Sequence, residues 1–124
     1  MKFREMITDR GTMIFCGKSA PNNEELITQV RKNEEVFHTA AVGSGFVNIK
    51  GRAKKGDIKN AAIFCAAFSK DWKKNKKDVI VHRFKGKDIC KKAGMKIGTF
   101  GVDKIKKIKI KKEEIQRFLK EWEE

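Results

Sequence analysis

The stretch Glu34–Val47, EEVFHTAAVGSGFV, restricts the fold more than any other part of this chain. Val36-Phe37-His38 and Phe46-Val47-Asn48-Ile49 are β-branched and aromatic runs of the kind that suit a pleated, half-buried surface. Between them lies Gly43-Ser44-Gly45, and glycine has no Cβ to clash at positive φ. The spacing predicts two strands joined by a tight reversal. His38 ends the first strand, and a heavily basic segment begins just after the second.

The flanking segments supply the remaining elements. Phe3–Ile7 and Thr12–Cys16 read as strands around a Thr8-Asp9-Arg10-Gly11 turn. Asn22 or Asn23 is expected to cap a short helix with Glu24 and Glu25 in its first turn, where carboxylates favour the positive end of the dipole. That helix carries Leu26, Ile27 and Val30 on one face and is expected to end near Lys32-Asn33. With Asp57 as N-cap, a single amphipathic helix is predicted to about Lys74. Ile58, Ala61, Phe64, Cys65, Phe68 and Trp72 fall on its sheet side, and Lys59, Lys70, Lys73 and Lys74 on the other, with Ala62 and Ala66 between them.

Asp78–Phe84 reads as a strand, Ile89-Cys90 as a short one, and Met95–Phe100 as a segment re-entering the core. Lys104–Lys111 predicts a half-buried strand with Ile108 and Ile110 inward and a comb of Lys107, Lys109 and Lys111 outward. Lysines so placed also discourage edge-to-edge pairing. Ile115, Phe118, Leu119 and Trp122 mark a last helix expected to pack on the sheet. The fold class is therefore α+β. It is one domain with a mixed, mainly antiparallel curved sheet, a central amphipathic helix, a short helix in the N-terminal half and a C-terminal helix.

The net charge of +14 is unevenly placed. Residues 1–47 carry six Lys/Arg against six Asp/Glu, residues 48–112 carry 22 against 5, and the last twelve carry 2 against 5. Self-repulsion within such a block favours a polyanionic partner. A Lys-rich surface that merely solvates would bring Glu along with Lys, and in the middle block Glu does not keep pace.

Other chemistries find little support. Cys16, Cys65 and Cys90 are odd in number and widely spaced, so they read as buried free thiols of a cytoplasmic protein rather than a disulfide or zinc set. No metal or cofactor is expected. Gly51–Gly56 has the outer glycines of a nucleotide loop, but Asp57-Ile58 follows where Lys-Ser/Thr belongs. A basic loop at a helix start still suits one backbone phosphate. Ser44 lies between glycines, yet a strand follows where a nucleophile elbow needs a helix, so no enzyme is expected. No apolar run approaches the roughly 20 residues of a bilayer span, and the first residues lack a secretory signal.

Several motifs, taken in order, resemble the NFACT-R domain, the RNA-binding module of NEMF-type ribosome quality-control factors and of short stand-alone proteins. The likeness runs over about residues 8–102. Thr8-Asp9-Arg10-Gly11 with Ile14 and then Gly17-Lys18 resembles its opening hairpin, and Asn23-Glu24-Glu25-Leu26 its Asn-x-x-Leu helix start. Glu34-Glu35-Val36-Phe37-His38 is similar to its acidic-x-Trp-Phe-His strand, and Gly43-Ser44-Gly45-Phe46-Val47 stands in the place of Pro-Gly-Ser-His-Val. Ala61-Ala62 with Ala66-Ala67-Phe68-Ser69-Lys70 resembles its alanine-rich helix, and Val79-Ile80-Val81 and Gly94–Gly98 its later strands. The tail 104–124 resembles that of a short stand-alone member. Val36 and Phe46 replace the motif tryptophan and histidine, so only His38 of these positions can carry a family role.

The resemblance implies a non-catalytic module that binds tRNA or ribosomal RNA, with the ribosome or an NFACT-type protein as further partner. The residues expected to carry RNA are His38, Arg52, Lys54, Lys55, Lys59, Lys70, Lys73 and Lys74, with Lys107, Lys109 and Lys111 as a second contact. Two other readings remain open: sequence-blind DNA binding, and docking on an acidic protein or a membrane surface. The oligomeric state is not legible.

Overall fold

A computed structural model describes residues 2–123. The chain runs β1 (Arg4–Ile7), β2 (Met13–Cys16), α1 (Ala20–Thr28), β3 (Glu35–Thr39), β4 (Val47–Ile49), α2 (Asp57–Ala67), α3 (Lys70–Asn75), β5 (Val79–Lys85), β6 (Ile89–Cys90), β7 (Gly101–Val102), β8 (Lys106–Ile110) and α4 (Lys112–Trp122). Six strands form one sheet in the order β1-β2-β4-β3-β5-β8, and β6 pairs with β7 apart from it. Every pairing is antiparallel. The predicted α+β class holds, and the hairpin around Gly43-Ser44-Gly45 supplies two of the central strands.

Alternation along the strands gives the sheet two apolar faces. Phe37, Val47, Ile49, Val79, Val81 and Ile110 point to the face covered by α2. Val36 and Phe84 point to the opposite face, where they meet Leu26 of α1, Phe46, and Phe100 from the segment between β6 and β7. The smaller cluster matters for function, because its cover is incomplete.

Three elements differ from the sequence expectation. The long central helix is broken: Phe68 leaves the helical region with φ −103° and ψ 15°, and Ser69 caps α3 by accepting from the Trp72 amide at 3.1 Å. Ala62 and Ala66 are fully buried, and α2 lies between the sheet and α4. A helix apolar around its circumference needs cover on both sides, and α4 provides it with Phe118 and Trp122 against Phe64 at 5.7 and 5.4 Å. So α4 packs on α2 rather than on the sheet, and Trp122 remains 39% exposed. Finally, α1 starts earlier than expected. Ser19 is its N-cap, accepting from the Asn22 amide at 3.2 Å, and Pro21 sits in the first turn where its missing N–H is harmless. The helix stops at Thr28, short of Lys32-Asn33.

The two asparagines expected to cap α1 instead tie loops together. Asn22 Oδ1 accepts from the Lys18 amide at 2.9 Å, and Asn23 Oδ1 from the buried Phe46 amide at 3.0 Å. Asp57 is the first residue of α2 rather than its cap, and its carboxylate accepts from the Lys54 amide at 2.7 Å. Of the three thiols, Cys16 and Cys65 are buried and Cys90 is exposed, contrary to expectation, because β6 lies outside the main sheet. Burial pushes the Cys16 thiol up to about 11 and the Cys65 thiol higher still.

Candidate nucleic-acid interface

Three segments meet at the end of the main sheet where β2 and β3 stop and β4 begins. They are the Gly17–Ser19 loop, the Ala40–Gly45 turn and the junction of α2 with α3. Gly17 N–H donates to the Phe46 carbonyl at 2.9 Å, and Lys70 N–H to the Gly43 carbonyl at 2.8 Å, which locks the three together. Gly45 has to be glycine, because a Cβ there would lie 2.0 Å from the Gly17 carbonyl oxygen.

A fourth segment, the strap 91–100 between β6 and β7, closes the other side. Glu24 of α1 holds it, accepting from both Lys91 Nζ and the Gly98 amide at 2.6 Å. Lys91 also donates to the carbonyls of Lys96 and Thr99 at 2.6 and 2.8 Å and lies over the Phe100 ring. These bonds, led by that from Lys91, hold the Glu24 carboxyl below its usual range. Ile97 of the strap is 65% exposed, so the expectation that Met95–Phe100 re-enters the core holds only for Phe100.

The segments enclose an open cleft of about 730 Å³. His38 and His82, partners across β3 and β5, form part of its floor with Phe46 and Phe84. His38 Nδ1 donates to the Thr39 carbonyl at 2.9 Å and its ring lies 4.5 Å from that of Phe46. Burial keeps the His38 pKa below its ordinary value; His82 is held down by burial and by Lys107 opposite it. Both are neutral hydrogen-bonding groups at pH 7. Ser44 Oγ accepts from the Thr39 amide at 3.1 Å, so Ser44 and His38 are each committed to the hairpin main chain rather than to each other.

The walls carry one sign of charge. Arg4, Lys18, Lys70 and Lys73 line the cleft, and no Asp or Glu among the described residues does. Arg4 is taken up over the Phe68 ring at 4.0 Å. The three lysines make no ion pair among the described residues, whereas Lys50, Lys59, Arg83, Lys85, Lys91 and Lys109 each have a carboxylate.

The sequence-predicted RNA contacts therefore divide. His38, Lys70 and Lys73 come together at the cleft, and Lys107 stands beside it through His82. Arg52, Lys54 and Lys55 lie at the other end of α2, near the first turn, where Lys54 Nζ donates to the Arg10 carbonyl at 3.1 Å. Lys59 is paired with Glu114 of α4 at 2.9 Å and Lys109 with Asp78 at 3.7 Å, while Lys111 is the N-cap residue of α4. Lys74 is exposed on α3 without lining the cleft. The expectation of one continuous stripe along the helix fails because α4 covers that side of α2. Lys18 was missed, since nothing in its local sequence shows that it stands across from Lys70. Among the described residues no cluster of His, Cys, Asp or Glu is arranged to hold a metal, and no helix is long and apolar enough to cross a membrane.

Comparison with known proteins bears on the fold and the family. The fold matches the C-terminal part of the fibronectin/fibrinogen-binding protein from Streptococcus suis with a TM-score of 0.80 at 25% identity, over 94% of this chain and 49% of that one. This chain thus spans about half of that structure. Comparison with curated proteins finds no significant match. The family model of the NFACT protein RNA-binding domain matches residues 2–104. With that model covering most of its length, the chain belongs to the NFACT RNA-binding domain family.

Proposed function

We propose that this domain binds structured RNA, either tRNA or ribosomal RNA, as a non-catalytic module of ribosome-associated quality control in the cytoplasm. The observation that carries the reading is a cleft walled by lysines without carboxylate partners among the described residues, in a chain whose family binds RNA. Lys18, Lys70 and Lys73 then form the principal contact, with Lys107 beside them and Lys74 on the approach. Arg52, Lys54 and Lys55 form a separate contact at the far end of α2, so a bound RNA would follow the side of the molecule left open by α4. The buried thiols, free of disulfides, fit a reducing compartment. With His38 and His82 neutral, affinity comes from lysine–phosphate contacts, which position RNA without reading its sequence.

The test is binding to tRNA and to a DNA duplex of equal length across a salt series. About six neutralised phosphates give a log–log slope near −5 on duplex. Clear preference for tRNA supports the RNA reading. Equal affinity would favour sequence-blind DNA binding, and a flat slope would favour docking on a protein or membrane surface. Replacing both Lys70 and Lys73 by Glu is expected to weaken tRNA binding at least about tenfold and to reduce the slope by about 2.

A further inference from the structure

Positive charge alone does not account for the cleft. Five large apolar side chains are exposed among the described residues, and three of them, Val42 at 93%, Ile97 at 65% and Ile105 at 41%, stand at its mouth. They come from the hairpin turn, the strap and the residue just before β8, which are far apart in sequence. Below them the floor is aromatic and heteroaromatic: Phe100 meets Phe46 edge to face at 5.4 Å, and His38 and His82 lie beside them. A duplex backbone is a row of charges with no apolar part to place against such walls. A wholly apolar ligand would leave the three lysines unanswered and would desolvate two imidazoles.

The occupant this chemistry fits is anionic at one end and flat, apolar-faced and polar-edged at the other. Lining by apolar and aromatic groups with a few polar ones is also the usual make-up of a small-ligand site, and 730 Å³ lies within the usual range of about 300–1,000 Å³. Neutral His38, its one proton given to the Thr39 carbonyl, can accept at a base edge and neutral His82 can donate or accept, while Lys18, Lys70 and Lys73 can take the adjoining phosphate.

We infer that the cleft holds a single unpaired nucleotide of the bound RNA, its base set between the strap and the histidine floor and its phosphate at the lysine rim. This rests on the RNA reading above and adds to it. The lysines would hold the backbone of any nucleic acid, whereas the cleft selects RNA that can turn one base out, as at a bulge, loop or end. Gly98 lets the strap lie close against α1 at the edge of the site, since a Cβ there would lie 2.9 Å from Ala20 Cα. The strap cannot retreat from its glycine contact without opening the cleft.

The experiment compares three hairpin RNAs that differ only at one position: fully paired, carrying one bulged adenosine, and carrying an abasic residue in the bulge. The expected result is binding of the bulged RNA on the order of tenfold tighter than the paired and abasic forms, as for stacking of one base. Ile97→Glu and Val42→Glu, at exposed positions, are expected to bring the bulged-to-paired ratio close to one, while the paired RNA reports any general effect of the added charge. In parallel, adenosine monophosphate should shift the NMR amide signals of residues 97–100 together with those of residues 43–45 beside Lys70, and inorganic phosphate should shift only the latter and others near the lysines.

Equal binding of the three RNAs would overturn the nucleotide site and leave the RNA reading standing. Absence of binding to all three would remove the RNA reading itself. Identical shifts with phosphate and the nucleotide would reduce the cleft to an anion site. Displacement of the nucleotide by an acidic, aromatic-containing peptide at lower concentration would assign the cleft to a protein partner instead.

Discussion

Gly45 and Asn23 hold the cleft together from opposite directions, one by lacking atoms and one by supplying them. Gly45→Ala would push a methyl group against the Gly17 carbonyl oxygen, main-chain to main-chain, with no flexible side chain to give way. The expected loss is about 1–3 kcal/mol, read as a lower denaturant midpoint. Asn23→Ala would leave the buried Phe46 amide without its acceptor, at about 1–3 kcal/mol by the same measurement. Both should loosen the Gly17–Ser19 loop and so displace Lys18. The histidines respond to pH in a defined direction. Their folded pKa values are depressed, so the stabilisation from keeping them neutral is complete above the ordinary value of 6.5 and is lost as pH falls below it. An NMR titration should find His38, whose ring is buried, protonating below that value. Titration of His38 at or above 6.5 would contradict the burial described here.

Among the elements, the strap 91–100 depends on few contacts, chiefly the two bonds to the Glu24 carboxylate. The Glu24 pKa is lowered, first by the bond from Lys91 and next by that from Gly98. Its contribution is therefore complete above the ordinary carboxylate value and is lost as pH falls through the depressed one. Measured against the intrinsic rate at each pH, hydrogen-exchange protection of the strap amides should fall over that acid range before protection in β3 and β5 does, and Glu24→Gln should show quickened strap exchange already at pH 7. Unchanged strap exchange in that variant would mean that the packing of Phe100, not Glu24, retains the strap.

The elements also show what could be read from sequence. Strands β3, β4, β5 and β8 were legible because alternation such as Val79-Val81 and Ile108-Ile110 states which side is buried. The stripe Ile115, Phe118, Leu119, Trp122 likewise announced a buried face of α4, but periodicity carries no information about what covers it, and the cover proved to be α2. The break at Ser69 was hidden because apolar spacing continues through Phe68 to Trp72. Only the capping capacity of Ser69 could have revealed it. Asn22 and Asn23 are good caps in isolation, and the earlier start at Ser19 shows only where its hydroxyl meets the Asn22 amide. The cleft was least legible of all: Lys18, His38, Lys70, His82 and Ile97 adjoin only after the strands are ordered and the strap is pinned.

For the whole molecule the open issue is how a compact chain carries a net charge of +14. Two electrostatic effects oppose one another as salt is added. Screening weakens the ion pairs, but pairs such as Lys59–Glu114 and Lys109–Asp78 involve half-exposed lysines, and exposed pairs contribute about 0–1 kcal/mol each. Screening also relieves repulsion among the 22 Lys/Arg of residues 48–112, which face only five Asp in that block. That repulsion is long-ranged: at about 0.01 M salt the Debye length is roughly 30 Å, shrinking to about 10 Å at 0.1 M. The long-range term should therefore dominate, and the melting temperature should rise between 0.01 and 0.3 M NaCl. An anionic ligand seated at Lys18, Lys70 and Lys73 relieves the same repulsion while adding its own binding energy, so tRNA at 100 times its dissociation constant should stabilise the fold by about 2.7 kcal/mol. In the Lys70→Glu, Lys73→Glu double variant the two responses should part. Its melting temperature in low salt should rise above that of the parent, because two positive charges have been reversed, while the stabilisation by tRNA shrinks. A double variant that lost stability in low salt would show those lysines to be engaged in holding the fold, and the cleft would then no longer be a site kept free for an anion.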